Sequence, residues 1–468
     1  MNIRALPKTS QSVPNMATIT PEVAVVMERA ISNAKTLLRE VDLDIFHHPE
    51  LNYEEFHAHG ALVKALEKLG FKVTPHAYGI PTSLETEYGE GGRLVVFNAE
   101  YDALPEIGHA CGHNLIATAS LAGFIATVAA LKAPGKPGRV RLLGNPAEEG
   151  GCGRGMLVGK GAYDGVAACV MAHPAPLFAY GNEGQQGDVF VNHVSATSFR
   201  IKFKCKPAHA AVSPWEGVNA LDAAVLGYNG VSMMRQQMTK DFTVHGIFTD
   251  AGVKSNIIPD SAAVDYTVRA PTIEKTKELR DRVIANYLAG AIATGCEMQV
   301  ENDVFYAPLR PNKQLSLVFA DAAADLGIPI WCNVHSKDVI SGATDQGNVG
   351  CVVPVIHPIY GIEAKEGQSN HTAGFTEAAG AESAHKRTLI IANALARSAW
   401  AVLTDDEVAY KVQPEFEDTV TERRLKISRG GNISHYKGFL YDQRTYQEAL
   451  LLWQQGLSKG CLIARPAD

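Results

Sequence analysis

The sequence predicts an α/β fold whose strand and helix alternation is interrupted by an inserted ferredoxin-like α+β unit. Three observations lead there. Between residues 93 and 172 short apolar strands alternate with helices, as a parallel sheet requires. From about 191 to 307 the order becomes β-α-β-β-α-β, the order of a ferredoxin-like unit. Beyond Pro308 the first pattern resumes.

The 468 residues are too many for one compact core and suit two or three domains. Hydrophobic residues make up 46% and charged residues 20%, as in ordinary soluble globular chains. The net charge of −7 is spread over both signs, so no basic stripe points to nucleic acid or anionic lipid. The eight cysteines fall without a regular framework, which makes a reducing, cytoplasmic setting the expectation. Residues 1–20 lack the apolar run of a signal peptide and read as a disordered tail, and no membrane is expected as a partner.

In chain order, 21 to 40 reads as an amphipathic helix with Pro21 in its first turn. His47 and His48 then open a Pro-containing loop into a helix over 54 to 69 that Gly70 ends; a surface or helix-capping role is favoured over a ligand role for the two histidines. Residues 93 to 98 form a short, nearly all-apolar strand covered on both faces, and 114 to 132 a helix apolar almost all round. That helix nearly has membrane length, but Asn114, Thr118, Ser120 and Thr127 assign it to a protein core. A strand at 139 to 143, a short helix at 153 to 160 and a strand at 167 to 172 ending on His173 follow.

The inserted unit reads as strand 198–204, helix 217–238, strands 242–248 and 261–268, helix 272–290 and strand 296–304. A helix at 314 to 326, a strand at 352 to 356 and one long helix from 376 to about 403 complete the resumed pattern. Residues 419–468, with a charged run at 422 to 426 and an amphipathic stretch at 446 to 457, have no assigned role.

The chemistry concentrates between Ala99 and Leu115, where Glu100, Asp102, Glu106, His109, Cys111 and His113 crowd one loop. Cys111 and His113 flank Gly112, a spacing that lets a bent loop aim thiolate and imidazole at one point. Glu148 and Glu149 lie among Gly144, Pro146, Gly150 and Gly151, where the backbone can turn both carboxylates into one cleft. One can then bind metal while the other accepts a proton from water. Taken singly, the pair reads as an acidic turn, and His173, His357 and His371 as capped loop histidines. Their joint placement after strand ends of one sheet favours a site. Two motifs are excluded: the 155–161 segment has the wrong glycine spacing for a phosphate loop, and no Gly-x-Ser-x-Gly elbow occurs.

Glu100 to Asn114, Pro146 to Glu149, Pro207 to Ala210, Asn256 to Asp260 and Thr344 to Asn348 together resemble the M20 metallopeptidase family. The likeness is to its amidohydrolase branch, in particular its aminoacylase-1-like group, and runs from about 25 to 415. It implies a zinc-peptidase-like catalytic domain over 21–190 and 308–418, a mixed sheet sandwiched by helices, with 191–307 as a lid and dimerisation domain.

The resemblance further implies two divalent ions, zinc with manganese or cobalt as alternatives. Cys111 would bridge them, with His113 and His173 on one and Glu149 and His371 on the other. Glu148 would be the general base, Asp102 the carboxylate orienting a histidine, and His209 the group polarising the scissile carbonyl, supplied in dimers by the neighbouring subunit. Asn256 and Arg269 would hold the polar end of the substrate. Many relatives in the wider branch carry Asp in place of Glu100 and Asn114. The expected activity is hydrolysis of a small N-acyl amino acid or dipeptide by a homodimer. A tailoring or condensing amidase and an inactive scaffold are the competing readings.

Overall fold

The strand Leu94–Glu100 is flanked by Gly138–Asn145 on one side and Ala168–Val170 on the other, both parallel to it, in a computed structural model that describes residues 19–132, 137–180 and 184–428. Its neighbours come from successive crossovers to opposite sides, so the chain reverses its direction of travel at this strand. Ligand crevices form at the carboxyl ends of strands at such a point. The sheet is mixed, as the family resemblance implied: Leu84–Glu90 pairs antiparallel with Gly138–Asn145, Val73–Pro75 pairs antiparallel with Leu84–Glu90, and Val355–Ile356 closes the other edge.

Alternation along the central strand divides the core. Val95, Phe97 and Ala99 join the larger cluster with Leu115, Phe124 and Leu395, while Leu94 and Val96 join Leu143, Leu157 and Val355 on the opposite face. The helix His113–Leu131 has buried residues on every side, and the apolar window that would suit a membrane span is 94% buried inside the protein. It is a core helix, as its polar residues predicted. Among its neighbours, the first helix runs from Pro21 to His47, seven residues beyond the expected end at 40, because Val41, Asp42 and Ile45 are also buried. Asp42 accepts hydrogen bonds from Arg39, Asn114 and His385 at 2.7 Å each. An aspartate in place of Asn114 would set two carboxylates face to face, which accounts for the amide at this position.

The second sheet is antiparallel throughout, in the order Thr243–Asp250, Ser261–Ala270, Ser195–Lys204, Glu297–Tyr306. With helices Ala220–Met234 and Ile273–Thr294 it has the expected ferredoxin-like order. Register places Cys205 opposite Cys296, one step beyond the pair Lys204 and Glu297, and the two form a disulfide with Cα atoms 5.2 Å apart. The irregular cysteine spacing had given no sign of this bridge.

The helix expected from 376 to about 403 is two helices, Ala373–Gly380 and Glu382–Thr404. Ala381 has extended backbone at ψ 147° and separates them. The strand expected to end on His173 instead stops at Val170, and His173 begins the strand His173–Pro176, which pairs with Ile359–Ile362. The final described helix is Asp406–Ser428. The chain divides into two units after Val420, and the candidate site lies in the first. The tail over 1–18 and the stretch at 446 to 457 lie outside the described residues.

Candidate metal centre

The loop after Leu94–Glu100 turns back on itself so that Gly112, at φ 79°, sits between Cys111 and the first residue of the core helix. A Cβ there would lie 2.5 Å from Pro174 Cγ, beside His173, so glycine is required both by the left-handed turn and by the close approach. The Cys111 thiol comes within 3.3 Å of His173 Nε2. His371 arrives from the other end of the chain at φ 67°, its N–H donating to the Ala110 carbonyl at 2.9 Å. Ala147, at φ 60°, turns the chain into Glu148 and Glu149. Non-glycine residues in this region cost about 1–3 kcal/mol each, and Ala147 and His371 are two of seven among the described residues.

The ligating atoms form two groups that share one sulfur. Atoms from Cys111, His113 and His173 lie within 4.8 Å of one another, and so do atoms from Cys111, Glu149 and His371. Hydrogen bonds select the ring nitrogens. His113 Nδ1 donates to Asp102 Oδ1 at 2.9 Å and His173 Nδ1 to the Pro174 carbonyl at 2.8 Å, leaving Nε2 of each as the free lone pair. Asp102 uses its second oxygen to accept the Glu149 N–H at 2.9 Å. Thus one buried carboxylate positions two of the five candidate ligands.

The arrangement fits cations. Buried His113 Nε2, Glu149 Oε1 and Glu100 Oε2 have no hydrogen-bond partner among the described residues, an arrangement that is costly unless a cation or similar group completes it. Burial and the neighbouring Glu149 push the Cys111 thiol well up, so a thiolate there needs a positive ion beside it. The donor set of thiolate, imidazole and carboxylate suits zinc-class ions.

The two adjacent glutamates are driven apart. Burial, followed by Glu100, Glu149 and Asp345, raises the Glu148 carboxyl well above the usual range. Burial would also raise Glu149, but His371 and His113 hold it at about 2. Its Oε1 lies 3.3 Å from His371 Nε2 and 3.8 Å from His113 Nε2. A permanently ionised carboxylate suits ligation and a protonatable one suits proton transfer, so the pair divides the two tasks.

Several contributors were not legible as site residues. Arg154 is wholly buried and sits below the cluster, bonding Asp345 through its Nε at 2.5 Å and its backbone N–H at 2.8 Å, and pairing with Glu100. The Glu100 carboxylate is 3.4 Å from His113 Nε2. Gln346 accepts from Asn98 at 2.8 Å and from Arg154 at 3.4 Å, so the Thr344 to Asn348 segment forms the floor. Tyr306 donates to the Glu148 carbonyl at 2.9 Å, and Glu55 accepts the Ala147 N–H at 2.8 Å. A lone arginine among the glycines and apolar residues of 153–159 was the available signal for Arg154.

Of the ten residues singled out from the sequence, Cys111, His113, Glu148, Glu149, His173 and His371 converge, with Asp102 behind them. Arg269 donates to the Ser341 carbonyl at 2.9 Å and is not among the residues that converge on Cys111. His209 and Asn256 lie in exposed loops of the antiparallel unit. His209 Nδ1 accepts the Ala211 and Val212 N–H groups at 3.2 Å each, and the two loops are joined by the Ala210 N–H to the Asn256 carbonyl at 3.1 Å. Glu106 and His109 take no part in the cluster; His109 Nε2 donates to the Ile45 carbonyl at 3.0 Å.

A model of the peptidase family M20/M25/M40 matches residues 96–395. The Xaa-Arg dipeptidase of Mus musculus is 38% identical over 421 residues, covering 86% of this chain and 95% of the relative. That of Homo sapiens is 36% identical over 413 residues, covering 84% and 92%. A Bacillus subtilis structure described as a dinuclear metal binding peptidase from the M20 family superposes with a TM-score of 0.55 at 19% identity, over 80% of this chain and 99% of that one, a likeness of fold. The matched stretch opens within the central strand, closes within the helix Glu382–Thr404, and takes in every residue converging on Cys111. This chain therefore belongs to the peptidase family M20/M25/M40 and is a hydrolase.

Proposed function

We propose that the chain is a metal-dependent amide hydrolase acting on a dipeptide or a small N-acyl amino acid, with a dipeptide ending in arginine as the first candidate. The carrying observation is geometric: two groups of ligating atoms share the Cys111 sulfur, and the adjacent carboxylates Glu148 and Glu149 both lie beside His113. The names of the mouse and human relatives support the choice of dipeptide. The motifs support placing the chain in the aminoacylase-1-like group of the amidohydrolase branch.

In this reading His113 and His173 would hold one ion and Glu149 and His371 a second, with Cys111 available to either group. Zinc suits the donors, and manganese or cobalt can replace it. When bound, the ions supply Lewis acidity toward the scissile carbonyl and toward water. Glu148 accepts a proton as the water oxygen adds to the carbonyl carbon, and returns it to the amine nitrogen as the C–N bond breaks. Asp102 keeps His113 and the Glu149 backbone in register during both steps. Arg269 and Asn256 bind the substrate carboxylate, and His209 donates to the developing oxyanion.

The exposed positions of His209 and Asn256 favour completion of the site by a second copy. The edge strand Thr243–Asp250 exposes Ile247 and Phe248, and Val212, Trp215, Val253 and Met233 are exposed on the same antiparallel unit, which supports a homodimer formed there. Zinc-loaded protein should release arginine from Xaa-Arg dipeptides faster than it cleaves β-alanyl dipeptides, N-acyl amino acids or p-aminobenzoyl-glutamate, and chelation should abolish turnover. Turnover that survives complete metal removal would overturn the reading. Ile247→Asp should give a monomer with intact metal content and little activity; a fully active wild-type monomer would refute the dimer.

A further inference from the structure

Away from the strand ends, the corner between the first two helices carries a second convergence of ligand side chains. Asp44 and His48 lie one turn apart at the end of the helix Pro21–His47, and His57 is the second residue of the helix Phe56–Lys68. Asp44 Oδ1 is 3.0 Å from His57 Nε2 and 3.3 Å from His48 Nδ1. The two imidazoles stack with centroids 3.9 Å apart and planes inclined by 28°. One ligating atom from each of the three residues lies within 4.8 Å of the others. None of the three belongs to the cluster around Cys111.

From this we infer that Asp44, His48 and His57 form a separate mononuclear site for a zinc-class divalent ion on the outer surface of the protein. Two imidazoles and one carboxylate are the donors such ions prefer, whereas calcium and magnesium favour all-oxygen shells. All three side chains are 41–52% exposed, so the two rings are free to swing out of their stack and turn both nitrogens to one ion, with water at the remaining position. His48 Nδ1 also bonds the Asp44 carbonyl at 2.8 Å, so binding exchanges a local helix-end bond for coordination.

The site has a structural consequence. The Glu50 carboxylate accepts the His57 and Ala58 N–H groups, and the Glu50 carbonyl accepts the Ala103 N–H at 2.8 Å. Glu55, one residue before the second helix, bonds Ala147. The corner thus rests against two of the loops that carry the catalytic cluster, those of Ala103 and Ala147, and an ion there ties the two helix ends into a single clamp over them.

The test compares zinc-reconstituted wild-type protein with His48→Ala, His57→Ala and Asp44→Asn, the last keeping side-chain size and helix propensity nearly unchanged. Zinc per chain is measured by mass spectrometry at buffered free zinc, alongside the zinc dependence of the melting temperature. Wild type should hold one ion more per chain than each variant at the same free zinc, and each variant should need at least tenfold more zinc to reach the wild-type melting temperature. Cys111→Ser should keep this outer ion, which separates it from the catalytic pair. Equal zinc content and equal melting response in wild type and in Asp44→Asn would overturn the assignment.

Discussion

Replacing Asp102 by asparagine perturbs the candidate site at the point where two of its ligands meet. Asp102 is 1% exposed and accepts two hydrogen bonds of 2.9 Å, one from His113 Nδ1 and one from the Glu149 N–H. Asparagine keeps the shape but offers one acceptor, so its NH2 must face one of the two donors. One bond to a charged group is lost, at roughly 1.5–3 kcal/mol, together with the negative charge that supports the imidazole. At 1.36 kcal/mol per decade this amounts to roughly 10- to 100-fold in metal affinity. The assay is zinc occupancy against buffered free zinc, with kcat/KM measured at saturating zinc and the fold checked by circular dichroism. Zinc affinity and kcat/KM within twofold of wild type, in a variant that retains its fold, would refute the positioning role.

Three further substitutions probe the surroundings. Arg154→Met leaves Glu100 and Asp345 as buried carboxylates without their cation, and should lower stability by roughly 3–5 kcal/mol in urea unfolding, with part recovered by adding Glu100→Gln and Asp345→Asn. Gly112→Ala places a methyl against Pro174 at a left-handed position, and should reduce zinc content more than it reduces melting temperature, because the displaced neighbours are Cys111 and His113. Burial, and then Asp102, raise the Glu55 carboxyl from 4.5 to about 7. A raised acid stabilises the fold below its unfolded value and loses that contribution as pH rises through its folded value. Glu55→Gln should therefore gain on wild type between pH 4.5 and pH 8, by up to about 3 kcal/mol in urea titrations at the two pH values, and an equal difference at both would exclude the assignment.

Local periodicity carried much of the fold. The nearly all-apolar run at 93–98 and the all-round apolar helix each announce themselves in their own residues, and the β-α-β-β-α-β order follows from reading such local patterns in succession. The strand Leu84–Glu90 did not, because one edge of it pairs with only three residues and its sequence alternates with glutamates and Thr86. The break at Ala381 escaped because alanine has no local reason to leave a helix; the reason is tertiary, with Gly380 packed where a Cβ would meet the Phe46 ring at 2.5 Å. In the site, cysteine, histidine and paired glutamates are conspicuous as residue types. Arg154 and Tyr306 act from long range on groups already chosen, and only distance reveals them. The Cys205–Cys296 bridge spans 91 residues and follows from strand register, which spacing alone does not contain.

In the proposed mechanism Glu148 moves the proton while Glu149 holds metal, and Glu148→Gln separates the two roles. The glutamine keeps the size and a carbonyl oxygen but cannot cycle a proton. With zinc content measured on the same samples, the variant should hold as much zinc per chain as wild type while kcat on an Xaa-Arg dipeptide falls by at least 10²–10⁴-fold, the usual worth of a positioned acid–base group. Wild-type turnover by the zinc-loaded Glu148→Gln protein would contradict the account.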